Sequence, residues 1–276
     1  MFGITILLGG LVGLALGLTG GGGGVFAVPL LVYGLGRTPQ EAVGLSLASV
    51  GLVALIGLLP PDTRKFVEWR SGFLFAASGM AGAPLGGVIA GALNETALLA
   101  LFALLMLVIA QRMWGKARDP QVVTGVCNSE AIPPRDGPAC QRDEKGQLRW
   151  NARCTRLLLV LGLMTGVLSG LFGIGGGFVI VPALVLFSGM AMHRAVATSL
   201  LAIGLISISG VASFLGSGQT LPLSVAAPFM TGAFLGLFAG RRLGQVVQGA
   251  KLQRSFAVVI VAVAVFVIGQ SLHRFV

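Results

Sequence analysis

The sequence predicts an all-α polytopic membrane protein: two inverted-topology repeats of about five hydrophobic segments each, with broken or short helices at glycine-rich loops. Three observations predict it. The 276-residue chain is 55% hydrophobic and 10% charged, with a mean hydropathy of +0.93, a composition outside the range of ordinary soluble domains. A long stretch of the first half recurs in the second. The basic residues, finally, alternate from loop to loop in the way that orients membrane spans.

Taken in order, the hydrophobic segments fall at roughly 3–19, 24–36, 40–59, 71–92 and 96–114, then at 155–172, 177–190, 194–216, 222–240 and 253–272. A span needs about 20 apolar residues, and windows such as Ser71 to Leu93 carry no formal charge. The second member of each set is short for a full crossing, which suggests a tilted or re-entrant helix. The opening segment lacks a basic leader, and the glycine run after it is no cleavage site, so it reads as a retained span. These segments divide the chain into a first transmembrane repeat (1–114), a Pro-, Gly- and charge-rich linker (115–153) and a second repeat (154–276).

Residues 13–47 align with 166–200 at a constant offset of 153 without a gap, and sixteen of the thirty-five positions are identical. Shared apolar composition would give about a tenth by chance, so the chain contains an internal duplication. Both copies carry the same opening: "GLTGGGGGVFAVP" at 17–29 and "GLFGIGGGFVIVP" at 170–182.

Charge orients the two copies. The linker is rich in Arg and Lys and is expected in the cytoplasm, and counting spans from it puts seventeen of the nineteen basic residues on that side, leaving Arg37 and Arg274 outside. Equivalent loops then face opposite sides, since each repeat has an odd number of segments. Inverted repeats of this kind are a recurring plan of secondary transporters. The formal net charge of +10 is accounted for by these loops, so nucleic acid is not expected as a partner.

A glycine run is a poor helix former, and inside a bilayer the backbone groups it frees must be buried in protein or line a cavity. A helix starting after such a run offers unpaired N–H groups and the positive end of its dipole, a suitable cradle for an anion. The candidate substrate-binding residues are therefore Thr19, Gly20, Gly22, Gly23 and Gly24 in the first copy and Gly173, Gly175, Gly176 and Gly177 in the second, joined by the hydroxyls of Ser46, Thr198 and Ser199. No Lys or Arg lies at the centre of a predicted span, and no acidic residue apart from Glu41 near a helix start, so neither a buried salt bridge nor a metal site is expected. Glu41 and Arg194 occupy the same repeat position, as do Gln40 and His193. Glu41, His193 and Arg194 are the gating or coupling candidates, weighed against plain solvated helix starts.

Other glycines have a packing role. Gly13 with Gly17 and Gly82 with Gly86 fit the spacing that lets membrane helices approach closely. Pro29 and Pro182 fit a kink or entry angle. Cys127, Cys140 and Cys154 lack zinc-ligand spacing and read as reduced thiols of the linker. No cofactor is expected. An intramembrane serine hydrolase would need a histidine within reach of a serine, yet the two histidines are His193 and His273 near the chain end. No GxxxxGK[ST] phosphate loop follows the glycine runs.

The paired "GGGGGVFAVP" and "GIGGGFVIVP" motifs, each followed at the same distance by "EAVGLSL" or "RAVATSL", resemble the TauE/SafE family, the sulfite exporter and 4-toluene sulfonate uptake permease group. The second copy is the closer match: Gly21 stands where the second copy has Ile174, and Leu45 stands opposite Thr198. The resemblance implies movement of sulfite, a sulfonate or a related small organic anion across the bacterial inner membrane, without ATP hydrolysis. The inverted repeats point to alternating access, and coupling to a proton gradient is expected. An anion channel or a carrier of a non-sulfur carboxylate would share the same fold. The expected partners are the small anion and the lipid bilayer, with a homodimer left open.

Overall fold

The computed structural model describes residues 2–19, 23–94, 97–102, 104–105, 152–173, 177–188, 190 and 192–246. Every element among them is helical: α1 (Phe2–Thr19), α2 (Gly23–Pro29), α3 (Pro39–Gly57), the short α4 (Pro61–Arg64), α5 (Trp69–Ala92), α6 (97–102 and 104–105), α7 (Ala152–Phe172), α8 (Gly177–Ser188), α9 (Met192–Gly216) and α10 (Leu223–Val246). Five of these are long and apolar enough to cross a membrane, and α1 and the α2 segment are shorter apolar helices. The fold is thus that of an all-α polytopic membrane protein. The linker lies outside the described residues except for Ala152 and Arg153, which open α7, and so does the expected span at 253–272.

Local chemistry explains the helix starts. Thr38 is extended, its hydroxyl accepts from the Glu41 N–H at 3.3 Å, and Pro39 opens the first turn of α3; a side-chain cap, an N-terminal proline and an acidic first turn reinforce one another. Pro29, which lacks an N–H, ends α2, and the chain continues as a π-helical turn over Leu30–Gly34. The expected segment at 222–240 extends further: Arg241 and Arg242 lie within α10, which runs to Val246. Arginine is a good helix former, and Arg241 Nη1 donates to the Gly57 carbonyl at 3.1 Å while Nη2 reaches the Thr63 hydroxyl. Cys154, fully buried, is disulfide-bonded rather than a reduced thiol; with three cysteines and no local motif, sequence spacing held no pairing information.

The helices of the two halves interlock. α1 packs along α10, α5 along α7, and α3 crosses α9. In both flanking pairs, glycines recur every fourth residue and press against the neighbour's backbone. A Cβ on Gly9, Gly13 or Gly17 would strike the carbonyls of Phe229, Ala233 and Leu237; one on Gly162, Gly166 or Gly170 would strike those of Phe75, Gly79 and Ala83. Gly82 and Gly86 answer against Leu163 and Val167, as Gly236 and Gly240 do against Gly10 and Leu14. The expected packing glycines, Gly13, Gly17, Gly82 and Gly86, all occupy such contacts. Lipid offers no hydrophobic drive between helices, so this close backbone approach is what holds them together.

Both flanking pairs run parallel, because each contact series ascends in both helices. Arg241 ties the end of α10 to the end of α3 and to the connection that leads into α5. α1 and α10 therefore run toward one end of the bundle, and α5 and α7 run away from it. Arg64, Lys65, Arg70, Arg153, Arg156, Arg194, Arg241 and Arg242 all fall at this basic end, while Arg37 falls at the other.

Candidate functional site

The second glycine motif begins where α7 stops. Gly173 has φ of +68°, a left-handed conformation that favours glycine, and its N–H closes the last turn onto the Ser169 carbonyl at 2.8 Å. A Cβ here would lie 2.6 Å from the Val43 Cα and 2.8 Å from its carbonyl oxygen. The break therefore lies directly on the backbone of α3, a helix of the other half. Ser46, fully buried on α3 one turn further, donates its hydroxyl proton to the Gly173 carbonyl at 2.6 Å. That bond satisfies a carbonyl oxygen freed where the helix ends and buried against α3.

Phe172, the last residue of α7, lines an apolar crevice next to the break. Phe172 and Phe102 meet edge to face at 5.6 Å, and with Val28, Pro39, Val43, Leu98 and Leu99 they line a crevice of about 10 Å³, room for about one water. Beyond the break, α8 starts at Gly177, which is buried, and α8 touches α2.

In the first copy, Thr19 is the last residue of α1, and Gly23 and Gly24 open α2, both buried. A Cβ on Gly23 would sit 2.8 Å from the Leu16 nitrogen and strike the Val12 carbonyl. Gly23 thus lets α2 fold back along α1. Gly20, Gly22, Gly175 and Gly176 lie outside the described residues.

The remaining hydroxyl candidates have specific partners. Thr198, fully buried on α9, accepts from the Glu68 N–H at 3.0 Å and so holds the start of α5. Ser199 donates to the Val196 carbonyl of its own helix at 2.8 Å. By contrast Ser49, Ser169 and Ser207 bury their hydroxyls without a hydrogen-bond partner among the described residues. Such groups are uncommon in native structures, since an unmet buried hydroxyl is costly. Ser169 lies one turn before Gly173 and Ser49 one turn after Ser46.

Glu41 is half-exposed and pairs with Arg37 at 3.7 Å within its own half. Arg194 pairs instead with Glu68 at 3.5 Å, and the His193 ring lies 6.5 Å from that of Phe66. Glu68 was not singled out from sequence. The available signal was its place as the acidic residue between a basic loop and the first turn of a span, in "EWR" at 68–70.

Comparison with known proteins follows this geometry. The sequence profile of the family described as Sulfite exporter TauE/SafE matches residues 5–267. A Xylella fastidiosa protein named "Probable membrane transporter protein" is 35% identical over 97% of this chain and 95% of its own length. A Bacillus subtilis protein of the same description, YunE, is 28% identical over 98% of this chain and 97% of its own. These names are those of transporters, not enzymes. No solved structure matches the chain. With the matching profile spanning nearly all of the helical bundle, the chain belongs to the sulfite exporter TauE/SafE family and is a multi-pass membrane transporter.

Proposed function

We propose that this transporter is a secondary carrier that moves a small sulfur-containing anion, such as sulfite or a sulfonate, across the bacterial inner membrane by alternating access, coupled to a proton gradient. The observation that carries the reading is the Gly173 break, a buried left-handed glycine pressed on α3 whose carbonyl is held by Ser46 of the other half. A break that rests on α3 puts the start of α8 beside the α3–α9 crossing, where a shift of the two flanking pairs against each other would expose it to either side. The opposite courses of α1 and α7, helices matched by the repeat, support two inverted repeats. The basic end supports a cytoplasmic linker.

Hydroxyls and backbone N–H groups suit the substrate. The hydroxyls of Ser49 and Ser169, without a hydrogen-bond partner among the described residues, lie one helical turn from Ser46 and from Gly173, and neutral donors hold an oxyanion while allowing its release. The sulfur chemistry rests on the family description. His193 and Glu41 are the coupling candidates, both near helix starts.

The test is uptake of radiolabelled sulfite into proteoliposomes with and without an imposed proton gradient, with sulfate, thiosulfate and sulfonates as competitors. Saturable, gradient-driven uptake is expected. Gly176→Leu, which puts a side chain into the second glycine run, is expected to abolish it in a protein that still inserts. Absence of movement for every sulfur oxyanion tried would reject the substrate class. Linear, unsaturable flux would favour a channel.

A further inference from the structure

The connection between α3 and α5 is held from the other half of the molecule. Arg241 of α10 reaches the Gly57 carbonyl and the Thr63 hydroxyl. The Thr198 hydroxyl of α9 accepts from the Glu68 N–H. The Arg194 guanidinium lies 3.5 Å from one Glu68 carboxylate oxygen, and the Ser71 hydroxyl donates to the other at 3.4 Å. His193 sets its ring against Phe66. The Glu68 side chain is 15% exposed and that of Arg194 44%, so the pair sits at the rim of the bundle with Ser71, 2% exposed, behind it.

The opposite end is built differently. There the connection between α9 and α10 bonds within its own half, Ser217 to Ser213 and Phe214, Gly218 to Leu215, and Val225 and Ala226 to Pro222. Glu41, at the repeat position of Arg194, pairs with Arg37 of its own half. One duplicated position thus carries an ion pair across the halves at the basic end and within one half at the other.

We propose that Glu68 and Arg194 are the gate of the basic end: the pair closes that end by clasping the α3–α5 connection to the start of α9, and each transport cycle breaks and re-forms it. The proposal rests on the alternating-access reading. A partly exposed ion pair is weak and screened by salt, so it favours a closed state without trapping it. A guanidinium is also a preferred partner of small oxyanions, so a substrate arriving at the basic end competes with the Glu68 carboxylate for Arg194. The pair is then opened by the ligand the carrier moves.

The test uses Ser71→Cys as a reporter in inside-out vesicles, treated with a membrane-impermeant maleimide and read at residue 71 by peptide mass spectrometry. Slow labelling is expected in the otherwise unaltered chain, rising at least fivefold with Glu68→Gln or Arg194→Gln and rising with ionic strength without them. In parallel, Glu68→Arg and Arg194→Glu are each expected to lower uptake at least tenfold, and the double reversal to restore it to within threefold. Unchanged labelling in both neutral variants would overturn the gate, as would a folded double reversal no better than the single ones. Labelling needs no substrate, so the gate is decided even if the unaltered protein moves no sulfur anion.

Discussion

The helix pairs at the flanks and the pair at the centre are packed in different ways. In α1 with α10 and α5 with α7, glycine meets backbone: the atoms that a Cβ would strike are carbonyl oxygens and main-chain carbons. In α3 with α9, which run in opposite directions, glycine meets side chains: Gly44 faces the Phe214 ring, Gly51 the Ser207 side chain, Gly204 Leu55 and Gly210 Leu47. Backbone against backbone has no rotamer to adjust, whereas a leucine or phenylalanine tip can repack. The flanking pairs, each combining one helix from either half, are therefore expected to hold as rigid arms, and the side-chain contacts of the central crossing are those that can repack when one arm shifts against the other. Ser46, Thr198 and the candidate gate all sit on or beside that central pair.

The largest effect is expected where the arms are attacked. Gly13→Leu or Gly166→Leu forces two backbones apart, a cost above about 3 kcal/mol, and should leave little monodisperse protein on size-exclusion chromatography in detergent. A leucine variant that melts with the wild type would break the comparison. Next comes Ser46→Ala, which leaves the Gly173 carbonyl buried without its donor and should cost about 1–3 kcal/mol, read as a lower melting temperature. At the centre, Gly210→Ala would place its Cβ 3.1 Å from the Leu47 Cδ1, a tip that yields, so a loss below about 1 kcal/mol is expected. Smallest is Gly91→Ala: nothing lies within 4 Å of its Cβ position, and thermal melting should stay within about 0.5 kcal/mol of wild type, on the stabilising side. A penalty at Gly91 as large as at Gly210 would show that glycine itself, not its contact, sets these costs.

The glycines show how much of this was legible beforehand. Gly13, Gly17, Gly82 and Gly86 were readable as packing positions because their spacing puts them on one helix face. Their partners were not, since nothing in "GLVGLALG" states that α10 rather than α2 fills that face. Gly23 and Gly173 occupy similar motifs, yet one folds a helix back along α1 and the other rests on α3 of the opposite half. The hydroxyls follow the same pattern: Ser46 and Thr198 were identified as candidates from their positions, while the bonds they make, to Gly173 and Glu68, join residues far apart in the chain.

The sequence by itself determined the membrane class, the five long spans among the described residues, the duplication and the end at which positive charge collects. Each follows from local or additive quantities, namely transfer free energy along a segment and the count of Lys and Arg in each loop. Only the tertiary structure decided that the first helix of each half pairs with the fourth of the other, that Gly173 is held by Ser46, and that Glu68 meets Arg194. Those outcomes depend on the register and rotation of helices far apart in sequence, set by which backbones approach closely enough to exclude a side chain. Hydropathy, the same on every face of such a helix, carries no record of them.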